Sequence, residues 1–452
     1  MEIPEKPAAV LRRLAEHGHE AYAVGGCVRD TLLGRIPGDW DICTAALPEE
    51  TERCFSDCRV VETGLKHGTV TVLWEGEPFE ITTFRRDGTY RDHRSPEQVA
   101  FVDSLEEDLA RRDFTINAMA VGLDGMLRDP FGGRQDLREK RIRCVGTPDQ
   151  RFAEDALRIL RGLRFAAQLE FSIELDTAAA MERSQELLKF VSGERVYAEL
   201  TKLLLGSGVT AMLTKYGAVL QTVLPEIGPA RGFLQYSPHH DSDVWSHTAV
   251  AVGYGRQEPA VRWALLFHDL GKPCCMTRDA DGSAHFYGHA GRSAELAEAI
   301  LRRFHGEKAF MERVCTLVRE HDRGMEVNRK TVRRWISRFG QEQLFQLLAV
   351  MEADCLAHVQ TPLIQARYQA VLDFTALARQ VLAEEQCFTL RDLAVNGRDI
   401  LALGVSPGPS VGELLQGLLT EVLEDRCANE KGALLERLLE LMATEKGQSH
   451  AD

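Results

Sequence analysis

The chain of 452 residues is too long for one typical domain, and its length suggests about three. A hydrophobic fraction of 44% and a charged fraction of 27% indicate a folded protein and exclude an intrinsically disordered one. The net charge of −14 excludes a uniformly basic protein. However, residues 111–164 carry twelve Lys and Arg against eight Asp and Glu, which leaves room for a local basic surface that binds nucleic acid.

The spacing of the cysteines and the lack of long apolar segments predict the cellular compartment. Eleven scattered cysteines show neither a zinc-site spacing nor a disulfide framework, which is typical of reduced thiols in a cytosolic protein. The first residues lack the apolar core of a signal peptide, and no apolar run approaches the roughly 20 residues of a membrane helix. We therefore expect a cytoplasmic protein without a membrane partner, and the sequence does not indicate its oligomeric state.

Two regions differ in their hydrophobic period. Up to about residue 150, YAVGG, DWDIC, TVTVLW and FEITTF predict strands, VRDTLLGR opens a helix, and the polar segment 85–98 predicts an exposed loop. From residue 152 the apolar residues follow a helical period, and one continuous helix is predicted through FAEDALRILRGLRFAAQL. The remainder, to residue 452, is predicted to be all-helical, so the fold class is α+β.

Two carboxylates are the first candidate for chemistry. Asp39 and Asp41 lie two apart on the strand predicted at DWDIC, so their side chains point to the same face. Carboxylates held together favour a Mg²⁺ ion between them, and phosphoryl transfer uses two such metals. Glu80 in FEITTF is the candidate third carboxylate. Without further signals, two aspartates with this spacing more often lie on a solvent-exposed strand edge than in a metal site.

A glycine turn precedes the carboxylates. Gly25 and Gly26 stand between a predicted strand and a predicted helix, where backbone N–H groups can face a phosphate. Arg29 can add a charge-assisted hydrogen bond to that phosphate. The combination of this turn with the carboxylates about ten residues later favours a nucleotide-binding catalytic site.

The segment VGGCVRDTLLGRIPGDWDICT resembles the signature of the class II tRNA nucleotidyltransferase and poly(A) polymerase family, within the polymerase-beta-like superfamily. Further segments resemble the remaining motifs of that family in order: EEDLARRDFTINAMA, DPFGGRQDL, EDALRILRGLRFA and SGERVYAELTKLL. The resemblance implies a nucleotidyltransferase head with two Mg²⁺ ions, and it implies phosphate or ribose contacts from Arg111, Arg112 and Asp113. The bacterial members that add CCA to the tRNA 3′ end from CTP and ATP are the nearest in pattern.

The segment EDALRILR predicts how a base is chosen without a template. Asp155 and Arg158 share one face of the predicted helix, with an acceptor on one residue and donors on the other. This pair complements the amine and ring nitrogen of cytosine and adenine, whereas uracil and guanine would meet it acceptor to acceptor. Glu154 would orient Arg158, while Arg161 and Arg164 continue the face toward the triphosphate.

A second candidate site lies in the helical region. The order of His247, then His268 with Asp269, then Asp354 resembles the HD phosphohydrolase superfamily, in which such residues bind a divalent transition metal. His289 and His321 would hold a second metal or the phosphate. The resemblance leaves open whether this site hydrolyses phosphate esters, for example at damaged RNA ends, or keeps the fold without activity.

The sequence therefore predicts a four-part protein. Residues 1–150 form the nucleotidyltransferase head, 151–230 a helical neck that selects the base, 231–360 an HD-like helical domain, and 361–452 a helical tail that binds tRNA. The predicted function is addition of C, C and A to tRNA, with a loop near 86–97 that moves between C and A addition. The alternatives are CC-adding or A-adding enzymes, a poly(A) polymerase, or an HD phosphohydrolase whose head only binds nucleotides.

Overall fold

A seven-stranded sheet forms the centre of the N-terminal region. The computed structural model describes residues 1–88, 99–236, 242–280, 283–384 and 387–448. The strands of the chain are β1 (Ala21–Val24), β2 (Ile42–Thr44), β3 (Arg59–Gly64), β4 (Thr69–Trp74), β5 (Glu77–Thr83), β6 (Arg85–Asp87), β7 (Val99–Phe101), β8 (Ala120–Val121), β9 (Leu127–Arg128), β10 (Arg141–Ile142), β11 (Ser172–Ile173), β12 (Thr277–Arg278) and β13 (Ala284–His285). The sheet has the strand order β3-β4-β5-β2-β1-β8-β9.

The sheet is mixed, and its register brings the predicted carboxylates to one edge. Strands β2 and β5 run parallel with Ile42 beside Ile81, while the other neighbouring strands of this sheet are antiparallel. Because Asp41 and Glu80 each precede one of these two paired residues, both carboxylates lie at the same level of the sheet.

The apolar alternation of the strands explains the two faces of this sheet. Val70 and Val72 of β4 are buried in one core together with Ile42 and Ile81. Cys43, the next residue of β2, belongs to the core on the opposite face. The predicted strands TVTVLW and FEITTF are therefore central strands, each with an apolar side chain at every second position.

The helices that follow in chain order account for the rest of the described structure. They are α1 (Glu5–Glu16), α2 (Gly26–Leu32), α3 (Pro48–Cys54), α4 (Leu105–Ala110), α5 (Gly133–Arg138), α6 (Pro148–Glu154), α7 (Leu157–Leu169), α8 (Leu175–Ser184), α9 (Gly193–Leu204), α10 (Val209–Gln221), α11 (Val244–Tyr254), α12 (Pro259–Phe267), α13 (Lys272–Cys275), α14 (His289–Arg303), α15 (Lys308–Glu320), α16 (Arg329–Ala357), α17 (Pro362–Glu384), α18 (Gly397–Ala402), α19 (Pro409–Leu423) and α20 (Lys431–Gln448). The predicted α+β class is confirmed.

Local predictions need four corrections. The strand predicted at DWDIC begins only at Ile42, because Pro37 and Gly38 keep the preceding segment irregular. The continuous helix predicted through residues 152–169 is broken at Asp155, whose backbone is extended. The region after residue 150 is not entirely helical, since β11, β12 and β13 interrupt it. The predicted loop at 85–98 starts as strand β6, and residues 89–98, where most of the predicted moving loop falls, lie outside the described residues.

The chain divides into two compact units. Unit 1 consists of residues 1–232 and 299–307, and unit 2 of residues 233–298 and 308–452. The finer four-part division stays a prediction. Within the described residues, no helix is both long enough and apolar enough to span a bilayer.

Candidate active site

The glycine turn lies between β1 and α2. Gly25 has a φ of +81°, a conformation that favours glycine, and a Cβ at this position would lie 3.1 Å from Nη1 of Arg112. The Gly25 N–H donates to the Met119 carbonyl oxygen at 3.1 Å, so it is already bonded within the protein. Gly26 starts α2. The turn therefore brings the backbone close to the Arg112 guanidinium, and its first N–H is not directed at a ligand as the sequence suggested.

The predicted carboxylates meet beside this turn. The Asp41 carbonyl oxygen accepts the Val24 N–H at 2.9 Å, which fixes Asp41 at the end of β1 even though β2 begins one residue later. Burial, together with the neighbouring charges of Asp39 and Glu80, raises the pKa of Asp41 to about 6, while the charge of Arg112 opposes the rise. The three carboxylates thus form one electrostatic cluster. Their oxygens are not among the groups of described residues that lie within 4.8 Å of one another.

A buried acidic residue holds the two arginines of the RRDF segment. Asp108 on α4 has a fully buried side chain and pairs with Arg111 at 2.8 Å and with Arg112 at 3.3 Å. Burial would raise the pKa of Asp108, but the two guanidinium charges outweigh it and lower that pKa. Asp108 is therefore ionised and positions both arginines, of which Arg112 faces the carboxylate cluster.

A chain of hydrogen bonds and ion pairs links the glycine turn to the helical part of unit 1. Nη1 of Arg29 donates to Oδ1 of Asn117 at 2.7 Å, and the Asn117 amide donates to Asp113 at 3.1 Å. Asp113 also accepts from Arg161 at 2.8 Å. Burial opposes ionisation of Asp113, yet the charge of Arg161 holds its pKa at about 2. The ionised Asp113 therefore joins the head to α7.

The chain of contacts ends at a buried glutamate. Glu199 on α9 pairs with Arg164 at 3.1 Å and approaches Arg161 at 3.9 Å. Burial lowers the pKa of Arg164 to about 10 although Glu199 opposes the shift. Arg164 is thus held beneath the surface by an ion pair, whereas a third of the Arg161 side chain is exposed. Of the two arginines predicted to hold a triphosphate, Arg161 is the more accessible.

The Glu154 carboxylate lies against Arg158. Its Oε2 accepts from Nη1 of Arg158 at 2.7 Å, and Arg158 also donates to the carbonyl oxygens of Arg151 and Arg111 at 3.1 Å and 2.9 Å. These three acceptors fix the guanidinium between α6 and the RRDF segment. A cavity of about 520 Å³ lies beside it, lined among others by Arg111, Arg151 and Glu154.

Asp155 does not share a helical face with Arg158, because it occupies the break between α6 and α7. Its Oδ1 accepts the Leu157 N–H at 3.1 Å, which favours the break by capping the next helix. Its Oδ2 accepts from Nη2 of Arg195 on α9 at 2.8 Å. The two residues predicted to read the base are therefore held by different partners: Glu154 holds Arg158, and Arg195 holds Asp155.

The six residues predicted in the helical region come together in unit 2 as two neighbouring groups of potential ligands. The atoms within each group lie within 4.8 Å of one another, and all six residues are buried: His247, His268 and Asp354 form one group, and Asp269, His289 and His321 form the other. The His-Asp pair follows α12 rather than lying within it. Although Asp269 falls in the second group, its Oδ2 also lies 3.2 Å from Nε2 of His268 and 3.6 Å from Nε2 of His247, the residues with which the sequence predicted it.

Charged residues that the sequence did not single out surround this cluster. Nζ of Lys272 lies 2.7 Å from Oδ2 of Asp269, and Nη2 of Arg367 lies 3.6 Å from Oδ2 of Asp354. Burial would raise the pKa of Asp269, but the charges of His268 and Lys272 hold it well below its usual value. The cluster therefore has an ionised carboxylate at its centre.

Several positioning residues lay outside the sequence prediction. Asp108 and Asn117 hold predicted nucleotide-site residues three or four positions away in the sequence. Arg195 and Glu199 instead lie on a different helix from the residues they hold. One signal was available: in GERVYAEL, Arg195 and Glu199 are four apart and thus on the same helical face. That spacing indicates a charged face, but it does not reveal its partners.

The comparisons with known proteins identify the family of this chain. Residues 21–143 match the model of the Poly A polymerase head domain, residues 170–230 that of an RNA and SrmB-binding site of polymerase A, and residues 280–438 that of tRNA nucleotidyltransferase domain 2. The CCA-adding enzyme of Levilactobacillus brevis is 36% identical, covering 95% of this chain and 96% of the relative, and that of Geobacillus thermodenitrificans is 36% identical over 98% of each. The crystal structure of the Bacillus stearothermophilus CCA-adding enzyme in complex with CTP has a TM-score of 0.76 at 30% identity and covers 99% of this chain and 100% of that one.

The head fold and its cluster of carboxylates and arginines define a nucleotidyltransferase. Divalent metal use follows from that class. The identity over nearly the full length places the chain more narrowly, because the chain belongs to the family of CCA-adding enzymes.

Proposed function

We propose that this chain adds C, C and A in sequence to the 3′ end of tRNA, using CTP and ATP and no nucleic-acid template. The observation that carries the proposal is the carboxylate cluster at the edge of the sheet, with Arg112 facing Asp41 and the arginines of α7 joined to the head through Asp113. The CTP complex of the Bacillus stearothermophilus relative supports a nucleoside triphosphate as the substrate. A cytoplasmic location follows from this function.

The transferase site would use two Mg²⁺ ions. An all-oxygen donor set from Asp39, Asp41 and Glu80 suits this hard cation, and a bound cation would offset the negative charges of Asp39 and Glu80 that help to raise the pKa of Asp41. When bound, the metal ions would activate the 3′-hydroxyl and neutralise the triphosphate. The protein contributes orientation: Arg112 and Arg29 lie beside the turn, Arg111 shares Asp108 with Arg112, and Arg161 offers a partly exposed guanidinium for phosphate.

Base selection would be shared by Asp155 and Arg158. Arg158 presents donors and Asp155 an acceptor, and each is held by its own partner, so the pattern presented to the base is fixed before it binds. Cytosine and adenine satisfy this pattern, whereas uracil and guanine would leave an acceptor facing an acceptor. We propose that the helices of 231–360 and 361–452 hold the tRNA by its shape and phosphates.

The test is incorporation into tRNAs that lack A, CA or CCA, with each nucleoside triphosphate given singly and in pairs. We expect C and then C from CTP, one A from ATP only after both, and no further extension. Products that stop after two C would indicate a CC-adding enzyme, addition of A to a CC end without any incorporation of C would indicate an A-adding enzyme, and long A tracts would indicate a poly(A) polymerase. An Asp41→Ala protein that still binds tRNA supplies the inactive control.

A second function is favoured by one observation in unit 2. We propose that His247, His268 and Asp354 bind a divalent transition metal, because nitrogen and carboxylate ligands within 4.8 Å of one another suit such an ion better than Mg²⁺. Equilibrium dialysis against Mn²⁺ or Co²⁺, followed by elemental analysis, tests it. Retention of the metal by a His247→Ala protein would contradict the assignment.

A further inference from the structure

We propose that the turn of residues 34–38, which we call the acceptor turn, binds the 3′-terminal nucleotide of the RNA that is extended. In this turn Ile36 contacts the base of that nucleotide, and Arg35 binds the phosphate on its 5′ side. The inference rests on the proposed nucleotide addition to tRNA and deepens it, because it assigns residues that position the acceptor strand.

Ile36 is the most exposed large hydrophobic residue among the described residues. It is 97% exposed, although isoleucine is among the residue types most often buried in cores. It therefore contributes almost nothing to the packing of the head. Single exposed apolar side chains are common on protein surfaces, but Ile36 stands three residues before Asp39, one of the proposed metal ligands. This position links its exposure to the reaction.

The chain between Ile36 and Asp39 limits how far apart the two residues can lie. Three residues of extended chain span at most about 11 Å, so their Cα atoms lie within that distance of each other. The 3′-hydroxyl that attacks the nucleoside triphosphate must lie at the metal site proposed for Asp39 and Asp41. The base of the nucleotide that carries this hydroxyl is therefore within reach of Ile36.

The backbone is held on both sides of Ile36. Gly34 has a φ of +70°, which glycine adopts without strain, and the Arg35 N–H donates to the Asp30 carbonyl oxygen at 2.8 Å. Pro37 restricts the residue before it to an extended conformation, and the branched side chain of Ile36 has few rotamers. Ile36 is thus presented in a defined position, so little conformational entropy is lost when a base packs against it.

Arg35 adds a positive charge next to Ile36. It is exposed, and within the described ranges of the chain it forms no ion pair. The Asp30 carboxylate, which follows Arg29 directly, pairs with that arginine at 2.8 Å and is therefore already neutralised. A guanidinium without a carboxylate partner suits a phosphate oxygen, and near the carboxylate cluster it would offset repulsion of the RNA backbone.

The incoming nucleotide has other proposed contacts. Its base would meet Asp155 and Arg158, and its phosphates would meet Arg112 and Arg161, none of which belongs to the acceptor turn. The acceptor strand is the second reactant, and its terminal nucleotide must approach the same carboxylates. The acceptor turn is an exposed segment beside these carboxylates that the incoming nucleotide leaves free.

Removal of the terminal base tests the contact with Ile36. Addition of the first C is measured as kcat/KM for a tRNA that lacks CCA and for the same tRNA with an abasic terminal nucleotide. On the normal tRNA we expect Ile36→Ala to lower kcat/KM about tenfold, which corresponds to the loss of about two buried methylene groups. On the abasic tRNA the substitution should have no effect. The KM for CTP should stay the same, and Ile36→Leu should restore most of the rate.

Met126→Ala is the matched control for Ile36→Ala. Met126 is 62% exposed and follows β8, whose register with β1 places this turn at the opposite end of β1 from Gly25. Its substitution should change neither rate. An unchanged rate of Ile36→Ala on the normal tRNA would overturn the contact with the base, and so would an equal fall on both tRNAs.

Salt dependence tests the contact of Arg35 with the phosphate. The loss of one phosphate contact to a single strand lowers the slope of log kcat/KM for tRNA against log salt concentration by about 0.7. We expect this change in Arg35→Gln with an unaltered KM for CTP, whereas Arg53→Gln, at an exposed arginine of α3, should keep the slope of the parent. An unaltered slope in Arg35→Gln, or a rise only in the KM for CTP, would overturn the phosphate contact.

The parent protein separates the two ways in which the inference can fail. A folded parent that adds no C to tRNA would overturn the proposed function, and the acceptor turn with it. A parent that adds C at the same rate and with the same salt dependence as Ile36→Ala and Arg35→Gln would overturn the acceptor turn alone.

Discussion

Replacement of Arg195 by alanine should weaken discrimination between CTP and UTP although Arg195 belongs to another helix than the proposed base-reading residues. Its Nη2 lies 2.8 Å from Oδ2 of Asp155, and about a quarter of its side chain and less than a fifth of that of Asp155 are exposed. Asp155 sits in a break between helices, where its side chain also accepts the Leu157 N–H. Without Arg195 the carboxylate is free to turn toward solvent, and the acceptor it would present to a base is no longer fixed.

The size of the expected change in CTP/UTP discrimination follows from the hydrogen bond between Asp155 and the base, which is no longer held in place. A mismatched or unmade hydrogen bond to a base costs about 1–3 kcal/mol. A factor of ten corresponds to about 1.4 kcal/mol, so the ratio of kcat/KM for CTP to that for UTP should fall between about 5-fold and 150-fold. The partial exposure of the pair places the expectation at the lower end, near tenfold.

The assay is single-nucleotide incorporation into a tRNA that lacks CCA, with CTP and UTP measured separately for the parent and for Arg195→Ala. Arg183→Ala is the matched control, since Arg183 also pairs with an aspartate, Asp149, at 2.7 Å in unit 1, but on the exposed surface. An unchanged ratio in folded Arg195→Ala protein, or an equal fall in Arg183→Ala, would refute a positioning role for Arg195.

Three further predictions concern metal binding, the glycine turn and the buried ion pairs. Because Asp41 has a pKa of about 6, a proton competes with the metal for this carboxylate below pH 6. The affinity of the head for Mn²⁺ should therefore fall about tenfold for each pH unit below 6. A pH-independent affinity between pH 4.5 and 6 would contradict this prediction. Gly25→Ala should destabilise unit 1 by about 1–3 kcal/mol in urea unfolding and reduce nucleotide addition, because Gly25 has a positive φ and the new Cβ would contact the Arg112 guanidinium. The control Gly412→Ala should have neither effect, since the space around a Cβ at Gly412 is open. Glu199→Gln should lower the free energy of unfolding by about 3–5 kcal/mol because it leaves the buried Arg164 without its charged partner, while Glu186→Gln, at an exposed pair, should leave the urea midpoint unchanged.

The sheet was readable from the sequence because its signal is local. TVTVLW and FEITTF alternate between the two faces of the sheet, so residues two apart report burial on the same side. The break at Asp155 was not readable in this way. Its neighbours have good helical spacing, and the two bonds that stabilise the extended residue come from Leu157 and from Arg195, forty residues away. The hydrophobic period of a segment reports only on residues close in sequence, so it cannot reveal a partner forty residues away.

The same distinction applies to the ligands in unit 2. The order of histidines and aspartates was visible in the sequence, and the structure brings all six side chains together. How they divide between two groups was not visible, because that depends on which oxygen of Asp269 faces which pair of imidazoles. Lys272 is close in sequence to Asp269, but its role depends on the direction of a short helix that the sequence does not fix.

The two candidate centres differ in donor chemistry, and this difference separates their functions within one chain. The head offers carboxylate oxygens only, which suits a weakly bound, hydrated Mg²⁺ that enters with a nucleoside triphosphate and leaves with pyrophosphate. Unit 2 offers imidazole nitrogens around a buried carboxylate, which favours a transition metal that stays bound through turnover. A chelator selective for transition metals would therefore remove the metal from unit 2 at millimolar Mg²⁺ and leave nucleotide addition intact. Loss of nucleotide addition under that treatment would mean that the head also depends on a transition metal, and the separation by donor type would not hold.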